Sequence, residues 1–283
     1  VAGTPAPNGS GWYRGAVTVD VTATDDETGV REIRTTVNDS TVTTPGSSAS
    51  RGVAAEGSTI VGYTAVDNAG NEASGSTTVK IDATAPTISI TSPPTSLSIG
   101  ASATAGFTCT DVGGSGVLPG SCTATLTGPG VNTTVTNGQT LPTGTAGVYT
   151  LEVTAEDVAG NPASDSRIYT VAYGVCLQYN DGNEQPIGGT YALKFQLCDG
   201  SGANLSSPQI SVVAGLIDDS LPPAPDFQGK SNLGFEFRYD PRGKFYIYNL
   251  DTTTPGLEVG PHELAFTVNG TSSDGYVLPF ILK

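Results

Sequence analysis

From Val17 the chain alternates: Val17, Val19, Val21 and Ala23 fall on one side, and Thr18, Asp20, Thr22 and Thr24 on the other. A period of two is that of a half-buried antiparallel strand. Runs of strand character follow at 30–37, 57–65, 76–81, 149–155 and 167–172. More follow at 191–197, 209–216, 234–239, 244–249, 263–268 and 276–282. No window places apolar residues at i, i+3, i+4 and i+7, so no helix is predicted and the chain reads as all-β.

The turns between these runs repeat. Thr64-Ala-Val-Asp-Asn-Ala-Gly-Asn-Glu-Ala-Ser74 returns ninety residues later as Thr154-Ala-Glu-Asp-Val-Ala-Gly-Asn-Pro-Ala-Ser164. Asn and Gly stand where a hairpin needs positive φ. A repeat of this length is too long for a solenoid unit and suits a β-sandwich domain. The expected organisation is three tandem β-sandwiches: 1–84 and 85–173, both immunoglobulin-like, and 174–283. In the last, the Ala-Gly-Asn turn disappears, aromatics become denser and the only histidine occurs. There, 235–249 reads as a hairpin turning at Asp240-Pro-Arg-Gly243, and 217–231, with three prolines, as a long loop.

Composition narrows the functional classes. A formal charge of −15 with only 12 Lys and Arg argues against nucleic acid, whose binding needs a basic face. No run of 18 apolar residues is present, so no membrane-spanning helix is expected. The opening Val1-Ala-Gly-Thr-Pro-Ala-Pro reads as a linker. Four cysteines fall in two local pairs, and with one histidine and no Cys-x-x-Cys a zinc site is not expected. Disulfides Cys109–Cys122 and Cys176–Cys198 are the favoured pairing over free buried thiols, and they imply an oxidising, extracellular setting.

The first two units resemble bacterial immunoglobulin-like repeats of extracellular proteins. The marks are Gly11-Trp12-Tyr13, a strand ending Thr22-Ala-Thr-Asp25 ahead of a Thr-Gly turn, the Asp-x-Ala-Gly-Asn hairpin, and the linker Val79-Lys-Ile-Asp-Ala-Thr-Ala-Pro86. The third unit resembles the PxKF domain found at the C-termini of secreted actinobacterial proteins, through Tyr191-Ala-Leu-Lys-Phe-Gln-Leu197, Phe237-Arg-Tyr-Asp240 and Tyr246-Ile-Tyr-Asn-Leu-Asp251; the signature proline is replaced by Ala192 or Leu193. Such modules accompany hydrolases, adhesins and surface proteins alike.

Catalysis has little to stand on. A Ser-His-Asp or Cys-His arrangement must use His262, which reads as a surface residue at a turn; no catalytic residue is assigned, no organic cofactor is expected, and an enzyme is not expected. Calcium is the sharper chemistry. The turn after the second strand and the last hairpin share one end of an immunoglobulin-like sandwich. In the second unit that end collects Asp111, Asp157 and Asn161, and the incoming linker brings Asp82. Carboxylate and amide oxygens are what Ca²⁺ takes. Asp25, Asp26, Asp67 and Asn71 form the corresponding set in the first unit, facing whatever domain lies upstream in the same polypeptide. The competing reading is that these Asp and Asn side chains only cap their own turns. A third candidate is a sugar-stacking face made by Phe235, Phe237, Tyr239, Phe245, Tyr246 and Tyr248, with the first three on one side of a strand.

These readings combine into an expectation: a non-catalytic stalk or spacer of a secreted or cell-surface bacterial protein, stiffened by Ca²⁺ at its junctions. The rival is an adhesion or carbohydrate-binding module that contacts a cell-surface glycan or protein through the third unit.

Overall fold

A computed structural model of the chain describes residues 1–223, 234–269 and 276–283. The predicted loop over 217–231 therefore lies partly outside the described residues. Three hydrophobic cores follow one another along the chain, each between two sheets.

The first sandwich is built from β1 (Ala2–Thr4), β2 (Trp12–Tyr13), β3 (Val17–Thr22), β4 (Val30–Val37), β5 (Ser40–Pro45), β6 (Ser48–Val53), β7 (Gly57–Asp67) and β8 (Glu72–Ile81). One sheet runs β1-β3-β6 and the other β2-β8-β7-β4-β5. Val17, Val19 and Val21 of β3 point inward against Ile33, Val61, Val79 and Ile81, while Thr18 and Thr22 face solvent. The long hairpin of β7 and β8 keeps one register from Gly57↔Ile81 to Val66↔Glu72, which carries the Asp67–Asn71 turn to one end of the sandwich.

The second sandwich repeats the plan with β9 (Thr87–Ser92), β10 (Ser96–Ser98), β11 (Gly106–Thr110), β12 (Thr123–Gly128), β13 (Val131–Val135), β14 (Gly147–Glu156) and β15 (Pro162–Ala172). Its sheets run β9-β11 and β10-β15-β14-β12-β13. Tyr149, near the start of β14, donates its hydroxyl to the carbonyl of Thr145 at 2.9 Å, the corner typical of immunoglobulin-like sandwiches. The Cys109–Cys122 disulfide closes the loop between β11 and β12.

The third sandwich contains β16 (Gly174–Leu177), β17 (Glu184–Gln185), β18 (Thr190–Cys198), β19 (Val212–Ile217), β20 (Arg238–Asp240), β21 (Phe245–Asp251), β22 (Gly260–Val268) and β23 (Val277–Leu282). Its sheets run β16-β18-β21-β20 and β17-β23-β22-β19. That is the strand order of an immunoglobulin-type sandwich, so the unit whose sequence is no copy of the others shares their topology. The Cys176–Cys198 disulfide ties β16 to the end of β18.

The structure departs from the reading of the sequence at several strands: β5, β6, β9 and β13 lie outside the predicted runs, and Ala2–Thr4, read as part of a linker, forms β1 and pairs antiparallel with Thr18–Asp20 of β3. Residues 234–239 do not form one strand. Phe235 and Phe237 bond to β19 (Ala214 N–H to Phe235 O, 2.8 Å; Phe237 N–H to Val212 O, 2.9 Å), and Arg238–Asp240 then pairs with β21. This crossing between sheets breaks the alternation. His262 lies within β22, opposite Phe280, rather than in a turn before the strand.

The junctions between sandwiches differ in kind. Between the second and third, Tyr173 packs against both cores, and its amide donates to the Tyr276 hydroxyl at 2.8 Å. Leu205 of the third unit packs against the second core. Between the first and second, the contacts are polar.

Candidate metal centre

The polar junction is built around the linker that leaves β8. Ile81 is the last residue of that strand, and the amide of Asp82 still bonds to Tyr13 O at 2.9 Å, so the strand pairing fixes where Asp82 emerges. Its carboxylate enters the loop after β11. Asp82 Oδ2 accepts from the Ser115 amide at 2.6 Å and Oδ1 from the Thr84 amide at 3.1 Å. Gly114 permits this approach, because a Cβ built there would overlap the Asp82 carboxylate.

Asp111 and Asp157 come from the two loops of the second sandwich at the same end. One carboxylate oxygen from each of Asp82, Asp111 and Asp157 lies within 4.8 Å of the others, the one such group of three among the described residues. Asp82 is 0% exposed and Asp157 1%. Asp157 Oδ1 accepts from the Gly160 and Asn161 amides, at 2.7 and 2.8 Å. Asp111 Oδ2 accepts from the Gly116 amide at 2.8 Å, while Asp111 Oδ1 is buried without a hydrogen-bond partner.

The electrostatics are unbalanced. Among the described residues no Lys, Arg or His forms an ion pair with any of the three carboxylates. Burial pushes the Asp111 carboxyl up, and repulsion from Asp82, Asp157 and Glu56 adds to this against the single opposing bond from Gly116. Burial also acts to raise Asp82, but the Ser115 and Thr84 hydrogen bonds outweigh it and hold that carboxyl below its ordinary value. Buried like charges at this spacing are costly unless a cation or protons compensate them.

Asn161 belongs to the site in a role different from the one expected. Its Nδ2 donates to Asp157 Oδ2 at 2.7 Å and to the Asp82 carbonyl at 2.9 Å. Its Oδ1 accepts from Arg14 Nε at 3.2 Å and so is engaged away from the carboxylates. Asn161 is a bridge between units rather than a ready oxygen ligand.

Sequence reasoning missed the other members. Asn8 donates to the Val158 carbonyl at 2.7 Å across the junction. Glu56 of the first unit accepts from the Ala83 amide and the Thr84 hydroxyl. Nothing in the local sequence of Asn8, Arg14, Glu56, Gly114 or Ser115 signals a site, because each acts only when two sandwiches dock.

The corresponding set in the first unit is not assembled into such a group. Asp25 Oδ1 accepts from the Thr28 and Gly29 amides at 2.7 and 2.6 Å, and those bonds lower its carboxyl. Asp67 is lowered chiefly by the Asn71 side chain, which donates to it at 2.6 Å. Asp26 is exposed. The frame matches that of the second unit: Asn68 N–H bonds to Gly29 O as Val158 N–H bonds to Gly116 O. In both units these carboxylates accept from amides of their own turns; in the first, no carboxylate of another unit joins them among the described residues.

The remaining candidates resolve differently. Of the six aromatics, Phe237, Tyr246 and Tyr248 are buried in the third core, Tyr239 and Phe245 are half-buried, and Phe235 is 49% exposed. They do not make a common outer face. The His262 side chain is 11% exposed and is no surface residue. Its Nδ1 faces Asp218 Oδ2 at 2.6 Å and its Nε2 faces Glu258 O at 2.8 Å. Both ring nitrogens lie against acceptors, whose hydrogen bonds outweigh burial and raise the imidazole above its ordinary value, and neither nitrogen is left open to a substrate.

No family model matches the chain, and no curated protein matches it. Among solved structures it is similar to a structure from work on host cell surface retention of a 1.5-MDa bacterial ice-binding adhesin. The identity is 15% over 98% of this chain and 93% of that one, with a TM-score of 0.34. It is also similar to invasin, a bacterial integrin-binding protein (19% identity, 100% of this chain, 60% of that chain, TM-score 0.29). Fibronectin(III)-like modules of Clostridium thermocellum CbhA match at 18% identity over 56% of this chain and 87% of theirs, TM-score 0.27. Likeness at this level says nothing of what this chain binds.

Proposed function

We propose that the chain is a non-catalytic spacer of a secreted or cell-surface protein, divided at about residues 84 and 173, and that a divalent cation, Ca²⁺ by its preference for oxygen, stiffens its first junction. The observation that carries this reading is the meeting of Asp82, Asp111 and Asp157 from two sandwiches within 4.8 Å, with Asp111 Oδ1 buried and unpartnered. The three carboxylates would hold the ion, which would supply the missing positive charge. Two disulfides support an extracellular setting. Its partners on this reading are neighbouring domains of the same polypeptide, with a surface glycan or protein as the further candidate.

The test is thermal unfolding and small-angle scattering in EDTA and then in millimolar calcium. A cation at a hundredfold excess over its dissociation constant adds about 2.7 kcal/mol, so the unfolding temperature should rise by several degrees and the particle should narrow its range of shapes. Identical curves in both conditions would remove the cation from the account.

A further inference from the structure

We infer that the third sandwich carries a pocket for one ring of a neutral sugar, at the edge where the chain crosses from one sheet to the other. The cavity measures about 390 Å³, inside the roughly 300–1,000 Å³ of small-ligand sites. It is a notch rather than the flat aromatic face expected from the sequence, and it gives the surface-glycan candidate a place on the molecule.

The crossing makes the notch. Stacked sheets lie about 10 Å apart. The crossing segment leaves β19 at the bond from Phe237 N–H to Val212 O and joins β21 at Arg238↔Ile247. Between the start of β19 and the paired Tyr239 and Tyr246 it leaves an opening. The far wall is the turn 207–210, which Tyr246 fixes. Its hydroxyl accepts from the Ser207 amide at 3.1 Å and donates to the Ser207 carbonyl at 2.9 Å. Within that turn the Ile210 amide returns to Ser207 O at 3.1 Å. Tyr246 is 1% exposed and Phe237 7%, so the base of the cavity belongs to the core and is set before a ligand arrives.

The lining has the two characters a sugar needs. Tyr239 is half-buried and leans on Tyr246, with ring centroids 5.5 Å apart. With Ile210 it offers apolar surface to the C–H groups of a ring. Glu236 and Arg238 are both exposed, both line the cavity, and neither forms an ion pair among the described residues. A guanidinium only donates and a carboxylate only accepts, so neighbouring hydroxyls, each able to do both, satisfy the two together. Gln209 adds a donor: its Oε1 is taken by the Ser207 hydroxyl, which leaves Nε2.

Charge selects among ligands of this size. An anion that meets Arg238 also meets Glu236 and a chain of net charge −15. A cation that meets Glu236 also meets Arg238. A neutral, polyhydroxylated ring uses both side chains and is opposed by neither.

The inference rests on the glycan candidate and is independent of the cation, so the full chain is titrated in EDTA. The probes are glucose, galactose, mannose and N-acetylglucosamine, with glucuronate and a tetraproline peptide as the anionic and peptide controls. Saturation-transfer NMR should show at least one neutral sugar bound, its ring C–H protons saturated most. Arg238→Gln and Glu236→Gln change exposed side chains. Each should keep the parent's melting temperature and weaken that sugar by about tenfold, the loss of one hydrogen bond to a charged group. Tyr239→Leu should remove the C–H signal. Equal affinity in the parent and both rim variants would overturn the pocket and leave the glycan reading standing, with the sugar bound elsewhere. Binding of none of the four sugars would overturn both. A preference for glucuronate or for the peptide would overturn the assignment to a neutral sugar.

Discussion

The side-chain amide of Asn161 donates to the backbone carbonyl of Asp82, 79 residues earlier, at 2.9 Å. This bond ties the last hairpin of one sandwich to the linker leaving another, and Arg14 closes the contact from the first unit. Replacing Asn161 by Ala leaves the buried Asp157 carboxylate with one donor fewer and the Asp82 carbonyl unpaired. A loss of about 1–3 kcal/mol from the second sandwich is expected, read in urea unfolding, with wider interdomain motion in scattering.

Asp111→Asn separates the two readings of the acidic site by sign. Asn removes one of three crowded charges, so the variant should melt above the parent in EDTA. In calcium the order should reverse, because the parent gains the ion and the variant does not. Scanning calorimetry in the two buffers is sufficient; a variant that gains as much from calcium as the parent would exclude Asp111 as a ligand.

Gly114→Ala places a methyl group where the Asp82 carboxylate sits. The carboxylate must withdraw or the loop must shift, at about 1–3 kcal/mol. The calcium response should vanish although every carboxylate is retained. The first and third sandwiches should keep their unfolding midpoints.

The His262–Asp218 pair gives a pH dependence with a definite window. Burial opposes the imidazolium, but the Asp218 and Glu258 acceptors outweigh it, so His262 is raised above 6.5; its contribution is full below that value and is lost as pH rises through the raised one. Burial also opposes the Asp218 carboxylate, and the bonds from His262 and the Glu263 amide outweigh that, leaving it below 3.8. Its contribution is present above 3.8 and is lost as pH falls through the lowered value. The pair therefore stabilises the third sandwich most between 3.8 and 6.5. In His262→Gln the unfolding midpoint of that sandwich should be flatter with pH across the raised histidine range.

Removing Cys109–Cys122 by paired Ser substitutions should cost about 3 kcal/mol on the chain-entropy account. The same change frees both ends of the loop that holds Asp111 and Ser115, so it should also weaken any calcium response. The Cys176–Cys198 counterpart should destabilise the third sandwich and leave that response intact. Comparing the two double variants with and without calcium checks both statements.

The strands were readable because half-buried sheets impose a period of two: 30–37 was read to the residue, and β7, β8, β14 and β18 differ only at their ends. Where the chain crosses between sheets at Phe235 and Phe237, the period fails and so does the reading. The common topology of the third unit was not legible, since strand order depends on pairings far apart in sequence. Asp82, Asp111 and Asp157 were legible as a group because each stands just past a strand at one end of a sandwich. Asn161 lies beside this group with its Nδ2 on Asp157 and the Asp82 carbonyl and its Oδ1 on Arg14, contacts to another unit that no local sequence pattern carries. Asp67 accepts from Asn71 the same two bonds that Asp157 accepts from Asn161; the first unit differs at Asp25, whose Oδ1 takes both the Thr28 and the Gly29 amide.

That last contrast turns on length. Asp25 is bonded by the amide four residues on, Gly29, and Asp111 by the amide five residues on, Gly116. In the shorter loop the Thr28 and Gly29 amides both return to Asp25; in the longer one the Ser115 amide is released to the linker of a neighbour. One residue of loop length thus decides whether an amide turns inward to its own loop's carboxylate or outward to the linker of a neighbour.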